Sequence, residues 1–364
     1  MSDSAAPANA INSQRRYYTL DGLRGFAALM VAIYHLGQRS VGIVSHGYLA
    51  VDFFFMLSGF VIALNYQARM AQGMAFSRFT QARLVRVYPM FFLGLVIGVP
   101  AKILRANMNG TAPLGVTDVP NFIANLVILP SPFSYLLFPF NGALWSLFIE
   151  LFISLLFGAL LYRASDRTLI VLILSAAAAL IFVFVRPDDY IDMGWSWSNL
   201  VGGATRACFA FPLGMLMYRH LNRFRYRETY YALVPFLILA LVMIVSLAPG
   251  GALSDLLAIF LVLPLALVIG IAVEPPRAIR TICIRLGDLS YPAYAIHLPL
   301  VFVIVVVTAG SRVHSFALFS TFLIALCSAA LLMTYYVDRP VRAWLNERLR
   351  HRRPPETQTL WPVA

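Results

Sequence analysis

Arg24 and His35 are the first residues whose types and spacing could do chemistry. They lie in the apolar stretch LDGLRGFAALMVAIYHL, residues 20–36, eleven positions apart. On a helix that separation is about 1,100°, close to three whole turns, so both side chains share one face about 16 Å apart. Ionisable groups inside a membrane segment are costly and usually face a cavity or a partner. A snorkelling arginine and a packed histidine are the plain alternative, so company at the same depth decides. The next stretch, GYLAVDFFFMLSGFVIALNY, places Asp52 about 8 Å inside its end, level with His35 if the two helices are antiparallel. A hydrogen bond between them would fix the imidazole tautomer and raise its basicity, as a carboxylate does beside a catalytic histidine. A helix contact that merely satisfies both groups is the simpler reading.

Further polar residues recur inside apolar runs. Glu150, in NGALWSLFIELF, lies about 10 Å from one end of its helix, and Arg206, in GGATRACFAFPLGML, comes to similar depth. Together they make either a structural ion pair or a polar outer pocket for a hydrophilic substrate. Arg83 and Arg86, in RLVRVYP, are one turn apart just before an apolar run. With Arg24 they would form a cytoplasmic phosphate site, since arginine suits bidentate phosphate contacts. In GDLSYPAYAIHLPL, Tyr291, Tyr294 and His297 fall at successive i+3 positions, on one face. Asp288 or Ser290 is expected to cap this helix, with Pro292 in its first turn and His297 about 12 Å in. His46, His220, His314 and His351 read as loop or terminal residues. No metalloprotease, phosphate-loop, nucleophile-elbow or dinucleotide motif is present, and no metal site is expected.

The elements that must position these groups are membrane helices. Of the 364 residues, 60% are hydrophobic and 12% charged, with mean hydropathy +0.77, far from the roughly one-quarter charged residues of soluble domains. The formal charge of +12 comes from basic residues in short loops, which membrane topology requires, so no nucleic acid is expected as partner. The reading is all-α and polytopic, with ten spans near 20–38, 47–66, 88–104, 143–162, 168–186, 199–218, 229–248, 253–273, 289–309 and 316–336. Residues 121–140 hold three prolines and a polar centre, so a re-entrant or interfacial segment is predicted there. Ten crossings with both termini cytoplasmic place most of the 28 Lys+Arg residues inside and the acidic, aromatic stretch 187–198 outside. Residues 1–14 read as a disordered cytoplasmic tail, 15–345 as one transmembrane domain and 346–364 as a basic cytoplasmic tail. The first apolar run is read as a retained span, because no small-residue cleavage site follows it. Cys208, Cys283 and Cys327 lie in apolar surroundings without C-x-x-C spacing and read as buried thiols.

These stretches, in order, resemble the acyltransferase 3 family of integral-membrane acyltransferases. The likeness is carried by LDGLRGFAALMVAIYH, GYLAVDFFFMLSGFVI, RLVRVYP, LWSLFIELF, RACFAFPLGMLMYR and LGDLSYPAYAIHLPL, and it covers nearly the whole chain. The resemblance implies ten spans in a bacterial inner membrane. It also implies transfer of an acyl group, most often acetyl, from cytoplasmic acyl-CoA to a hydroxyl of a carbohydrate such as exopolysaccharide or O-antigen, lipid-linked or free. By position, the family's essential pair matches Arg24 and His35, its R-x-x-R matches Arg83 and Arg86, and its span glutamate matches Glu150. On this reading His35, Asp52 and Glu150 are catalytic, Arg24, Arg83 and Arg86 hold coenzyme A, and Arg206, Tyr291, Tyr294 and His297 bind substrate. The added esterase-like domain of some relatives is not expected here. A proton-coupled transporter or flippase of a small polar or lipid-linked substrate would use the same groups as a proton relay.

Overall fold

The computed structural model describes residues 16–38, 44–184, 191–221, 227–245, 251–307 and 316–351. The predicted tail 1–14, residues 187–190 of the acidic stretch, Arg223, Arg225, His314 and 352–364 lie outside the described residues. Helices occupy each of the ten stretches read as spans. They are α1 (Tyr18–Gly37), α2 (Gly47–Ala71), α3 (Phe76–Met108), α5 (Leu144–Ala159), α6 (Asp166–Phe184), α7 (Leu200–Leu221), α8 (Val234–Ile244), α9 (Gly251–Ala272), α10 (Arg277–Val307) and α11 (Phe316–Met333). A short helix, α4 (Asp118–Leu126), lies between α3 and α5, and α12 (Arg339–His351) follows α11 through a π turn at Thr334–Asp338. Six segments are long and apolar enough to cross a membrane: Gly47–Ala71, Phe76–Met108, Asp166–Val183, Trp197–Leu221, Gly251–Ala272 and Leu318–Arg350. Two residues at Arg227–Glu228 pair in parallel with Val273–Glu274, the one extended pairing of named strands among the described residues. The chain is an all-α integral membrane protein.

The end of the bundle where α1 starts is called here the first end, and the end where α1 finishes the second. Around α1 the helices pack through small residues, which lipid-embedded helices need because burial against lipid gains little. A side-chain carbon on Gly25 would lie 2.1 Å from the Leu286 carbonyl oxygen, so α1 and α10 touch backbone to backbone there. Gly59 of α2 and Gly214 of α7 face the partner's carbonyls in the same way, each at 2.0 Å.

Helix α10 corrects an expectation. It begins at Arg277, so Asp288 and Ser290 lie inside it and Pro292 and Pro299 interrupt its ladder. Each proline lacks the N–H that would bond the carbonyl four residues back. The orphaned Asp288 carbonyl accepts from Thr334 Oγ1 at 3.0 Å, and the Ala295 carbonyl accepts from Asn141 Nδ2 at 2.8 Å. Neighbouring side chains thus restore the bonds that a lipid environment cannot supply. Helix α3 likewise starts earlier than predicted, at Phe76, which puts Arg83 and Arg86 within it.

Residues 121–140 do not form a spanning helix. The nine residues of α4 rise only about 13 Å. Its inward face carries Asn121 and Asn125, both buried; Asn125 donates to Leu129, Ser131 and Leu137. Its outward face exposes Val119 and Ile123, continued by Val127 just past its end, an apolar stripe turned away from the protein. That inverted arrangement suits a helix lying against lipid at the rim of the bundle. The three cysteines are free; Cys283 is buried as expected, whereas Cys327 is only partly buried and Cys208 is exposed on α7.

Candidate active site

Five helices that the sequence marks as polar, α1, α2, α3, α5 and α10, enclose a cavity of about 140 Å³. Its polar lining is Arg24, Ser58, Arg83, Arg86, Ser146, Glu150, Ser290, Tyr291 and Tyr294, and apolar side chains, mostly of α2 with Val87 of α3 and Leu147 of α5, cover the rest. Arg24 is the seventh residue of α1, and Arg83 and Arg86 lie in the first third of α3, so all three arginines enter from the first-end half.

Their partners differ. Arg24 donates through Nε to Ser290 Oγ at 2.9 Å and through Nη2 to the Gly287 carbonyl at 3.0 Å, with Asp21 at 3.4 Å. Arg83 donates to Glu150 Oε1 at 3.1 Å and reaches Ser154 Oγ at 3.4 Å; Ser58 Oγ donates to the same Glu150 oxygen at 2.8 Å. Arg86 has a looser environment, with Asp338 Oδ2 at 3.9 Å and its guanidinium 5.5 Å from the Tyr291 ring centre. Arg86 therefore keeps most of its donor capacity for a ligand.

Two expected pairings are replaced. Asp52 does not hydrogen-bond His35. Both its oxygens accept from Arg206, at 2.9 and 2.6 Å, in a pair with no exposed side-chain surface. Arg206 also donates to the carbonyls of Tyr48 and Met193, so its fork is engaged within the protein rather than turned to the cavity. Glu150, placed level with Arg206 from its depth, faces Arg83 instead. The rise per residue gives a side chain's height but not the neighbouring helix it faces. His46, read as a loop residue, is buried and contacts Asp255 Oδ1 at 3.0 Å.

His35 does not line the cavity. It is half-buried near the second end of α1, and its ring stacks on His297, with centres 5.3 Å apart and planes 23° from parallel. His297 packs in turn 5.4 Å from the ring of Tyr294, which does line the cavity, and the Tyr294 hydroxyl lies 2.5 Å from Ser146 Oγ. His297 Nδ1 donates to the Tyr294 carbonyl at 2.7 Å, leaving a buried Nε2 lone pair with no protein partner among the described residues. Tyr291 donates to the Val87 carbonyl, tying α10 to α3. Helix α10 thus brings Tyr291 and Tyr294 to the cavity wall and carries His297 one turn further, against His35. Ser58, Ser146 and Asn141 were missed by sequence reasoning; small polar residues in apolar runs are the signal that marks them.

The model of the acyltransferase 3 family, an acyltransferase domain, matches residues 17–338, which include every cavity-lining residue. One relative, "Protein 2 in picA locus" of Rhizobium radiobacter, is 34% identical over 184 residues, covering 46% of this chain and 94% of that protein. No solved structure matches the chain. With the family match spanning both the bundle and its cavity, the chain belongs to the acyltransferase 3 family and is a membrane acyltransferase.

Proposed function

We propose that this acyltransferase moves an acetyl group from cytoplasmic acetyl-CoA to a carbohydrate hydroxyl presented at the opposite face of a bacterial inner membrane. The first end is then cytoplasmic, with ten crossings and both termini inside. The observation that carries the reading is the continuous line from the arginine-bordered cavity through Tyr294 and His297 to His35. It joins a cationic chamber at one end to a half-buried imidazole near the other. Guanidinium groups suit the phosphates of coenzyme A, and Arg86, held only loosely by Asp338, has the donors to bind them; Arg24 and Arg83 flank it. Glu150 and Ser58 hold Arg83 in place.

In the reaction, the unprotonated nitrogen of His35 takes the proton of the acceptor hydroxyl as its oxygen bonds to the thioester carbonyl carbon. The carbon–sulfur bond breaks, and the leaving thiolate takes up a proton. Histidine suits both halves because an imidazole can both take up and release a proton. A transient acyl-imidazole on His35 gives the same balance in two steps. Tyr291 and Tyr294 shape the cavity wall, and His297 supports the His35 ring from behind.

The test uses purified full-length protein in nanodiscs with labelled acetyl-CoA and surface polysaccharide from the producing cells. Native protein should label the glycan, and His35→Ala should remain folded by size exclusion yet transfer nothing. Undiminished labelling by His35→Ala refutes the assignment. Solute uptake into sealed vesicles without acyl transfer would instead support a transporter.

A further inference from the structure

Asp52, the carboxylate that sequence spacing assigned to His35, is held by Arg206, so something else must fix the imidazole. Gln38 stands one turn beyond it, exposed at the second end, with Oε1 3.4 Å from His35 Nδ1. Its amide nitrogen donates to the Tyr34 hydroxyl at 2.8 Å, and that hydroxyl donates to Asp192 Oδ2 at 3.0 Å. Tyr48, edge-on to Tyr34, does not compete for Asp192, because its own hydroxyl donates to Asp255 at 2.6 Å. Asp192 is anchored in turn, since its carbonyl accepts from Trp195 Nε1 at 3.0 Å.

We infer that Gln38 is the positioning residue of His35, and that Tyr34 and Asp192 set its orientation. The polarity follows from one end of the chain of bonds. An ionised carboxylate only accepts, so Tyr34 must donate to Asp192. The Tyr34 oxygen is then free to accept, which it does from the Gln38 amino group. That turns the Gln38 carbonyl toward His35, and a carbonyl only accepts, so Nδ1 carries the proton and Nε2 keeps its lone pair. The 3.4 Å separation is long, as contacts of catalytic groups often are before substrate binds. The titratable groups facing His35 are His297 on α10, Tyr34 on its own helix and Asp192 before α7. This inference rests on the reading of His35 as the base. It adds that the acceptor's proton goes to Nε2, and that a glutamine, not a carboxylate, selects the tautomer.

The test is nitrogen-15 NMR of histidine-labelled full-length protein in nanodiscs at pH 8, with the His35 signals identified by their loss in His35→Asn. Wild type should show a protonated Nδ1 and a bare Nε2. Gln38→Leu and Tyr34→Phe, each checked by size exclusion, should give a mixture of tautomers, while Gln38→Glu, which still accepts, should keep the native one. In acetyl transfer, Gln38→Leu should lower kcat roughly tenfold or more with KM for acetyl-CoA unchanged, since proton transfer is impaired and donor binding is not. A protonated Nε2 in wild type, or an unaltered tautomer in both Gln38→Leu and Tyr34→Phe, overturns the inference and leaves the role of His35 standing. Full activity of His35→Ala overturns that role and leaves the tautomer result intact.

Discussion

A buried charge is tolerable in a bilayer only if its partner is within reach, and the two ion pairs at the centre of this bundle use that fact differently. Asp52 and Arg206 have no exposed side-chain surface, and the guanidinium fork is closed by four contacts. This pair ties α2, α7 and the segment before α7 together. Removing either partner leaves an uncompensated buried charge, which costs about 3–5 kcal/mol. Asp52→Ala is therefore expected to lower the melting temperature and the yield of folded protein; a native melting profile with only KM altered would return Asp52 to the catalytic site. The pair of Arg83 and Glu150 borders the cavity, and Arg86 beside it is barely engaged. Arg86→Ala should fold normally and raise KM for acetyl-CoA roughly 10- to 150-fold, the loss of one charged hydrogen bond of about 1.5–3 kcal/mol. Unchanged KM in steady-state assays would remove Arg86 from the donor site. Sequence spacing put Arg24, Arg83 and Arg86 in one chamber because each stands near the same end of its helix. It mispaired Asp52 and Glu150 because depth says nothing about which neighbour a helix face meets.

Helices that contain proline depend on side chains elsewhere in the chain. Pro299 leaves the Ala295 carbonyl without its N–H, and Asn141, in the segment before α5, donates both to it and to the Gly94 carbonyl at 3.0 Å. One side chain thus fastens α3 and α10 where α10 turns from the cavity wall toward the histidines. Asn141→Leu keeps the volume but leaves buried carbonyls unsatisfied, at about 1–3 kcal/mol. The expected result is a lower melting temperature together with reduced kcat, because His297 is carried by the turn that loosens; reduced kcat with unchanged melting would mean a direct chemical role for Asn141. The ten apolar stretches were legible as helices because a membrane span is written in composition over about 20 residues. The true start of α10 was not, because Pro292 reads as a first-turn residue unless the distant Thr334 hydroxyl that replaces its missing bond is known. The segment 121–140 was legible as interrupted from its prolines, yet its asparagine-inward geometry depends on carbonyls that only the folded loop presents.

At the scale of the whole molecule, group transfer across a membrane requires that its two ends face different compartments. Basic residues crowd the loops at the first end, which on the proposed orientation is the cytoplasmic one. Gln38 is exposed at the second end, Arg78 at the first, and Val116 and Tyr135 flank the short α4 on the second-end side of α3. In a background with Cys208, Cys283 and Cys327 replaced, single cysteines at 38, 116 and 135 should react with a membrane-impermeant maleimide in intact spheroplasts. Cysteines at 78 and at 165, exposed between α5 and α6 at the first end, should react only after lysis. Opposite labelling at 116 and 135 would make residues 121–140 a crossing and reverse every helix after them. Reversed labelling at 38 and 78 would present the arginine chamber to the wrong compartment for a cytoplasmic thioester. Orientation is thus a condition of the proposed chemistry: the cavity can draw on acetyl-CoA only if α1 begins inside the cell.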